Sequence, residues 1–143
     1  MTIRAVTERS LPTWTLFASQ VWQTSEQVLI EKFSNNEFPF EFLYYSQSEE
    51  PIAWISLSLR HDYVEGCQNS PTAYLEGIFI IPDYRSQGIG DKLLSFAISW
   101  AENRGISQPA SDVEFDNQLS QNFHVKYGFR EVGRTVRYVL ELK

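Results

Sequence analysis

The sequence predicts an α/β (α+β) fold with about four helices, organised as one domain over residues 1–143. Strand-like and helix-like segments follow one another in the order β-α-α-β-β-β-α-β-α-β-β. Apolar residues make up 43% of the 143 residues and aromatic residues 15%, enough for a sizeable core. No repeat, low-complexity segment or internal linker interrupts this order, so a single domain is expected.

The first half of the chain is predicted to hold two helices and three strands. Apolar residues recur at roughly helical spacing in the helices, and Thr24 with Gln27 is the better match to a capping box. Apolar and polar residues alternate in the third strand. The predicted elements are the strand Ile3–Val6, the helices Leu11–Trp22 and Ser25–Ser34, and the strands Phe38–Ser46 and Ile52–Leu59.

A polar loop of twelve residues, Arg60–Pro71, follows the third strand. Loops of this length are often functional. The second half is predicted to begin with another strand and helix, and Gly105 is a natural stop for that helix. The predicted elements are the strand Ala73–Ile81, the helix Gly90–Glu102, a short strand around Gln108–Val113, the helix Asn117–Lys126 and a final hairpin across Phe129–Leu142.

The charge and cysteine content narrow the class of protein. A net charge of −6 argues against a nucleic-acid partner and suits a cationic small molecule. The lone Cys67 cannot form an internal disulfide and fits a reducing cytoplasm. No stretch approaches the roughly 18 apolar residues of a membrane span, and the N-terminus lacks the apolar region of a signal peptide. We therefore expect a cytoplasmic protein without a membrane or nucleic-acid partner.

The segment Arg85-Ser86-Gln87-Gly88-Ile89-Gly90 lies between a strand-like run and a helix-like run. Glycines, converging backbone amides and a helix N-terminus together suit a pyrophosphate. Glycines also form ordinary turns, so their spacing alone leaves both interpretations open. A nucleoside-triphosphate loop is excluded because Asp91 and Lys92, rather than Lys and Ser or Thr, follow Gly90. A dinucleotide fold would need three spaced glycines early in the chain.

The pattern Arg-x-x-Gly-x-Gly after a strand resembles the GNAT N-acetyltransferase superfamily, in which this loop holds the pyrophosphate of acetyl-coenzyme A. The run Asn117-x-x-Ser120-x-x-x-His124-x-x-x-Gly128-Phe129 is similar to a second motif of that superfamily, with His124 in place of a common tyrosine. Further blocks resemble the chromosomal-type aminoglycoside 6′-N-acetyltransferases. They are Leu59–Cys67, Ser70-Pro71, Leu75–Phe79 and Ala110–Asp112. The resemblance covers essentially the whole chain, is strongest over residues 54–129 and is weak before residue 50.

This resemblance implies a central mixed, twisted sheet flanked by about four helices, with strands 4 and 5 splayed to admit acetyl-CoA. It implies direct transfer of acetyl to the 6′-amine of kanamycin- or tobramycin-class antibiotics, which would confer resistance. Relatives form dimers through their C-terminal strands, so a homodimer is expected. The residues expected to contact acetyl-CoA are Ile78, Phe79, Ile80, Arg85, Ser86, Gln87, Gly88, Ile89, Gly90, Asp91 and Asn117.

The acceptor needs a group that holds a cation and removes a proton, because only about one aliphatic amine in ~10³ is uncharged at pH 7. Glu76 is the leading candidate, since it precedes the strand expected to pair with the pantetheine arm, and the matching glutamate of the family contacts the amine. The alternative is a charge that only keeps a sheet edge soluble. Asp112 matches a family ligand for an ammonium group, or it is an ordinary loop aspartate.

Two aromatic residues match family positions around the acceptor. Tyr63 lies in the long loop, where Asp62 and Glu65 could add charge, and its alternative is a ring folded back on the core. Trp22 matches a pocket tryptophan, although the family's Trp-Pro pair is here Trp22-Gln23. A buried core tryptophan is the other interpretation.

His124 is expected to protonate the departing thiolate, because its charge changes near neutral pH, or else to be a satisfied helix histidine. Asn117 is expected to hydrogen-bond the pantetheine arm, or simply to cap a helix. His61 cannot be paired with this motif. The two histidines and Cys67 lack metal-ligand spacing, so no metal site is predicted.

Gly133 stands where family members often carry a third acidic contact. The absence of this acidic contact should weaken binding of a polycationic acceptor. The sequence therefore identifies the cofactor more firmly than the acceptor. Two other functions therefore stay open. The acceptor could be another amine (a polyamine, a peptide terminus or lysine), or the chain could be a noncatalytic coenzyme A sensor.

Overall fold

A computed structural model describes residues 2–143 and contains one five-stranded sheet with helices on both faces. The strands lie side by side in the order in which they occur along the chain. They are β1 (Thr2–Ala5), β2 (Phe40–Tyr45), β3 (Pro51–Arg60), β4 (Thr72–Ile80) and β5 (Ala110–Ser111). The helices are α1 (Leu11–Trp22), α2 (Glu26–Ser34), α3 (Ile89–Glu102) and α4 (Gln118–Lys126), with short 3-10 turns at Glu8–Ser10 and Pro82–Tyr84.

The sheet is mixed, as predicted. The pairs β1–β2, β2–β3 and β3–β4 are antiparallel, whereas β4 and β5 are parallel. The parallel ladder contains only the pairs Tyr74 with Ala110 and Leu75 with Ser111. Beyond Leu75, β4 continues to Ile80 with no β5 partner in the described chain. The predicted splay of strands 4 and 5 is therefore confirmed, and one edge of β4 is left without a strand.

The two faces of the sheet carry separate apolar cores. Successive strand residues point to opposite faces, so Leu43 and Trp54 pack with α1 and α2. Their neighbours Tyr44 and Ile55 belong to the core that contains the apolar side of α3. The first core is rich in aromatic rings, and Trp14 and Trp54 are both fully buried in it.

Most predicted boundaries fall within two residues of the observed ones, but the cap of α2 differs. The Ser25 hydroxyl accepts a hydrogen bond from the Val28 backbone N–H at 3.3 Å. The Thr24 hydroxyl instead donates to the Trp22 carbonyl oxygen. The predicted pairing of Thr24 with Gln27 is wrong, because helix α2 begins one residue later and Ser25 is in the extended conformation that a cap requires.

The predicted C-terminal hairpin across Phe129–Leu142 is also wrong. No strand follows α4 within residues 2–143, and β5 is reduced to two residues of the predicted Gln108–Val113. An isolated hairpin is marginal in water, and so short an edge strand offers little for it to pair with. The apolar side chains of this segment are exposed at Val136, Tyr138, Val139, Leu140 and Leu142.

The C-terminal segment crosses the loop 61–71. A Cβ placed on Gly66 would lie 2.7 Å from the Val132 side chain, and one on Gly133 would lie 2.5 Å from the Glu65 carboxylate. The carboxylate of Glu65 therefore lies against Gly133, where the resemblance led us to expect an acidic residue. Within residues 2–143, no helix has the length and apolar character to cross a bilayer.

Candidate active site

A cavity of about 290 Å³ opens where the end of α1 meets strands β2, β3 and β4. Its wall holds three carboxylates and two aromatic rings, and no lysine, arginine or histidine is among the described residues that line it. Such a lining favours an organic cation over an anion. The lining residues are Trp22, Glu37, Phe38, Pro39, Glu41, Ser56, Leu57, Ser58 and Glu76.

Glu76 lies in this wall, and its carboxylate is held in place from two sides. Its Oε2 accepts hydrogen bonds from the Ser58 hydroxyl at 2.5 Å and from Arg60 Nε at 3.0 Å. Its Oε1 accepts from Arg60 Nη2 at 2.8 Å, which completes a bidentate ion pair. A bidentate guanidinium fixes the plane of a carboxylate. These contacts anchor the Glu76 carboxylate in the cavity wall, and its role toward an acceptor stays a prediction.

Arg60 extends this network to Asp112. Its guanidinium lies 3.4 Å from the centre of the Tyr74 ring, and the Tyr74 hydroxyl donates to Asp112 at 2.7 Å. Burial opposes the charge of Arg60, but the hydrogen bonds to Glu76 and the charge interactions with Glu76, Tyr74 and Asp112 together outweigh it and raise the pKa of the guanidinium. Burial and the bond to Asp112 raise the pKa of Tyr74, which stays protonated as a donor. Two predicted site residues, Glu76 and Asp112, are thus joined through a pair that sequence reasoning missed.

Trp22 lies in the cavity wall. Its indole N–H donates to the Glu76 backbone carbonyl at 3.1 Å, and its ring stacks on Phe38 with centroids 5.0 Å apart. Gly77 makes this arrangement possible, because a Cβ there would lie 2.5 Å from Trp54 and 3.2 Å from the Trp22 indole nitrogen. Trp22 is partly buried and packs against the aromatic core as well as lining the cavity, so its role in an acceptor pocket stays a prediction.

Glu41 is a pocket residue that the sequence analysis did not single out. It is 3% exposed and stands opposite Ser56 across the β2–β3 ladder. Its Oε1 accepts from the indole nitrogens of Trp14 at 2.8 Å and Trp54 at 3.0 Å, and its Oε2 accepts from the Ser56 hydroxyl at 2.5 Å. Burial raises the pKa of Glu41 to about 8, against the opposing effect of these hydrogen bonds. The sequence feature that could have pointed to Glu41 is its position as the one carboxylate within the aromatic strand β2.

Tyr63 is 84% exposed in the loop, so the alternative of a ring folded back on the core is wrong. Neither Tyr63 nor its neighbours Asp62 and Glu65 line the cavity. Asp112 is exposed, directly after β5. The acceptor roles of Tyr63 and Asp112 stay predictions.

The edge of β4 away from β3 has no strand beside it over Ile78–Ile80 in the described chain, as expected for a strand that pairs with an extended ligand arm. Phe79 itself lies opposite Trp54 of β3. Arg85 lies at the end of this edge, where its Nε donates to the Ile80 carbonyl at 2.8 Å. Its guanidinium is therefore directed along the strand by a contact within the protein. Its predicted phosphate contact stays a prediction.

The glycine turn has the backbone geometry of an anion site. Ser86 and Gly88 have φ angles of 62° and 83°, and Gly88 caps the fourteen-residue helix α3. Left-handed backbone between extended and helical segments turns amide groups to a common side. The first turn of α3 adds unpaired N–H groups from Ile89, Gly90 and Asp91. These residues fit a diphosphate.

Helix α4 closes the other side of this turn. The Tyr127 hydroxyl donates to the Asp91 carboxylate, and this bond, with burial, raises the pKa of Tyr127. A Cβ on Gly90 would lie 3.3 Å from Phe123 and from Tyr127. Gln87 is held by a 2.9 Å bond from its amide nitrogen to the Asp83 carbonyl. Contacts within the protein therefore hold Gln87, Gly90 and Asp91 of this turn in place.

His124 lies where β5 and α4 meet. Its Nδ1 is 2.7 Å from the Ser120 carbonyl oxygen and its Nε2 is 2.8 Å from the Ser111 hydroxyl. The side chain of Asn117 accepts from the Ser120 N–H at 3.1 Å, so Asn117 caps α4. Its contact with pantetheine stays a prediction. Among residues 2–143, no group of three or more His, Cys, Asp or Glu side chains could hold a metal ion.

Residues 4–129 match the acetyltransferase (GNAT) family, and the chain belongs to that family. It is 33% identical over 141 residues, 96% of this chain and 97% of the relative, to an aminoglycoside N(6′)-acetyltransferase type 1 of Acinetobacter baumannii. The crystal structure of an aminoglycoside 6′-N-acetyltransferase from Acinetobacter haemolyticus is 29% identical, with a TM-score of 0.89 over 100% of both chains. A structure of AAC(6′)-Iy with the bisubstrate analogue CoA-S-monomethyl-acetylneamine is 30% identical, with a TM-score of 0.83 over 99% of this chain and 98% of that one.

Proposed function

We propose that this protein transfers the acetyl group of acetyl-CoA to the 6′-amine of kanamycin- or tobramycin-class aminoglycosides, and so confers resistance to them. One observation carries the proposal. Strand β4 has Glu76 in an acidic cavity and, over Ile78–Ile80, an edge with no strand beside it in the described chain, where the Ile80 carbonyl accepts from Arg85. The similarity to aminoglycoside 6′-N-acetyltransferases over nearly the whole chain supports the acceptor class.

The chain's own residues can position both reactants. The backbone of β4 would pair with the pantetheine arm, and the amides of the turn 86–91 would bind the diphosphate. Acetyl-CoA supplies an activated thioester when it is bound. Holding the amine and the thioester together contributes much of such a rate enhancement.

Glu76 can accept a hydrogen bond from the acceptor amine. Each carboxylate oxygen has about two acceptor sites. Both sites of Oε2 are filled, by Ser58 and Arg60 Nε, whereas Oε1 receives only Arg60 Nη2. The remaining site on Oε1 can hold the amine or a water molecule that removes its proton. Arg60 fixes the orientation of that site.

His124 is proposed as the proton donor to the departing thiolate. The Ser120 carbonyl can only accept, so Nδ1 donates to it. The Ser111 hydroxyl has one proton, which it gives to the Leu75 carbonyl at 3.1 Å or to His124 Nε2. When Ser111 donates to Leu75, its oxygen can accept from a protonated Nε2, and the ring is then an imidazolium. Transfer of the Nε2 proton to the departing thiolate would leave neutral His124 with its proton on Nδ1, at the junction of the splayed strands where the thioester is expected.

We infer that the protein acts as a homodimer in the cytoplasm, with residues 1–143 as one catalytic domain. The exposed apolar side chains between Val136 and Leu142 support association with a second copy. The free thiol of Cys67 is compatible with a reducing compartment. An acidic surface also suits a polycationic substrate rather than a nucleic acid.

A coenzyme A-release assay tests the proposal. The acceptors compared side by side are kanamycin, tobramycin, spermidine and a lysine peptide. Release with the two antibiotics is expected. Release with the peptide alone would refute the acceptor assignment. Tight binding of acetyl-CoA without release for any acceptor would favour the noncatalytic sensor. Glu76→Gln should lower kcat more than it lowers affinity for acetyl-CoA, and an unaltered rate would remove Glu76 from the mechanism.

A second acceptor class is favoured by one specific observation. Arg60 neutralises Glu76, so the cavity has less net charge than its three carboxylates suggest. An acceptor with one positive charge, such as lysine or a peptide amino terminus, would need fewer unpaired carboxylates in the cavity to balance its charge. The peptide arm of the same assay tests this alternative.

A further inference from the structure

Glu41 is a buried carboxyl group whose donors are all neutral. Two indole N–H groups and one serine hydroxyl contact it, and no salt bridge involves it within residues 2–143. Hydrogen bonds from neutral groups orient a carboxylate but do not balance its charge. Three specific donors on one buried side chain also place its two oxygens with little freedom.

One oxygen of Glu41 keeps an acceptor site beside the cavity. Oε1 receives both indoles, whereas Oε2 receives only Ser56. Glu41 and Ser56 both belong to the cavity wall. A cationic ligand in the cavity could therefore reach Oε2 without displacing a hydrogen bond within the protein.

No neighbouring group of the described chain supplies a positive charge to Glu41, which is the buried carboxyl group of the cavity without a cationic partner. Helix α1 and strand β3 present to it Trp14, Trp54 and Ser56, which are uncharged. Strand β4 presents Glu76, whose negative charge is already paired with Arg60. Glu37, which precedes β2, lines the same cavity and is exposed to solvent.

We propose that Glu41 is an acceptor-binding residue, which gives up its proton and pairs with an ammonium group of the substrate. The exchange balances: the carboxylic acid releases a proton to solvent, and the ammonium ion takes its place beside the carboxylate. The new pair consists of one positive and one negative charge, so the exchange adds no net charge to the buried site. This inference rests on the proposed function, since it concerns the amine acceptor of the same site.

The cavity volume specifies how much of the acceptor is involved. About 290 Å³ is at the lower end of ligand pockets, so it accommodates one amino-sugar ring rather than a whole aminoglycoside. Trp22 and Phe38 provide flat apolar surfaces for such a ring, and Glu41 and Glu76 provide its polar contacts. Glu41 would thus select acceptors with a charged amine on the buried ring.

The test compares the wild type with Glu41→Gln. A glutamine oxygen can still accept from both indoles and its amide can donate to Ser56, so the fold should be retained. Glu31→Gln, an exposed change on α2 outside the cavity, is the matched control for the same chemical substitution away from the site. Thermal unfolding and the Kd for acetyl-CoA establish that each variant is folded and binds its cosubstrate.

Two readouts are specific to the proposed role. At pH 7, calorimetry with kanamycin in buffers of different ionisation enthalpy should show about one more proton released by the wild type than by E41Q. The KM for kanamycin should rise roughly 10- to 100-fold in E41Q, the loss expected for a hydrogen bond to a charged group, with an unchanged Kd for acetyl-CoA. The control E31Q should behave as the wild type.

Each outcome separates this inference from the proposed function. Acetylation of kanamycin with equal KM and equal proton release in wild type and E41Q would overturn the role of Glu41 alone. Acetylation of spermidine or peptide instead, with the KM raised in E41Q, would support Glu41 and refute the aminoglycoside assignment. Binding of no amine by the wild type would refute both.

Discussion

Burial of Glu41 should make the stability of the unliganded protein depend on pH. The folded protein holds a proton on this group up to about pH 8, whereas the unfolded chain releases it near 4.5. Between these values the folded state binds more protons than the unfolded state, so the free energy of unfolding falls as pH rises. The contribution is fully present below about pH 4.5 and lost by about pH 8.

The change in the free energy of unfolding follows from the difference between the pKa of Glu41 in the folded protein and in the unfolded chain. Each pH unit contributes about 1.36 kcal/mol, so about 3.5 units give an upper limit of about 5 kcal/mol. In Glu41→Gln this dependence is absent, while every other titrating group is retained. The variant should therefore match the wild type near pH 5 and be more stable near pH 8.5, by about 2–5 kcal/mol.

Urea denaturation at pH 5.5, 6.5, 7.5 and 8.5, followed by tryptophan fluorescence, measures this difference. The fluorescence reports on the same site, because Trp14 and Trp54 donate to Glu41. Stability curves for the wild type and E41Q that stay parallel across this range would refute the argument. They would show that Glu41 ionises in the folded protein as it does in the unfolded chain.

Three further substitutions test other parts of the site. Arg60→Met removes the bidentate grip on Glu76 and should lower kcat/KM for kanamycin roughly 10-fold or more with little change in acetyl-CoA affinity, measured by steady-state kinetics and calorimetry. Gly88→Ala forces a side chain into a left-handed conformation and should cost about 1 kcal/mol of stability, and calorimetry should show weaker acetyl-CoA binding. Gly77→Ala places a Cβ 2.5 Å from Trp54, so urea unfolding should show a loss of about 1–3 kcal/mol. Equal values for variant and wild type would contradict each prediction.

Helical spacing of apolar residues and the position of glycines predicted those helices and turns that are determined by nearby residues. Helix α1 has the predicted bounds Leu11–Trp22, and a turn that contains Gly88 precedes α3, as the glycines indicated. The mixed sheet and its splayed strands followed from a resemblance covering most of the chain, and the structure confirms them. The C-terminal hairpin failed because alternating apolar residues do not specify a partner strand.

The network around the acceptor cavity depends on pairings between distant residues, and single-sequence reasoning could not reach it. Arg60 and Glu76 are sixteen positions apart and meet only because β3 and β4 pair in a particular register. Glu41 faces Ser56 for the same reason across β2 and β3. Register is set by packing of the whole sheet, so a carboxylate's partners are visible only once the strands are aligned.

Strand β4 divides the molecule into two sectors with separate tasks. Apart from Glu76, the residues that line the proposed acceptor cavity all precede residue 60, whereas the surface suited to coenzyme A begins at β4 and continues into α3. Substitutions near the C-terminal end of α1 and the N-terminal end of β2 can therefore change which amine is bound without changing how acetyl-CoA is bound. In such an architecture, new acceptor preferences can arise by variation in one sector alone.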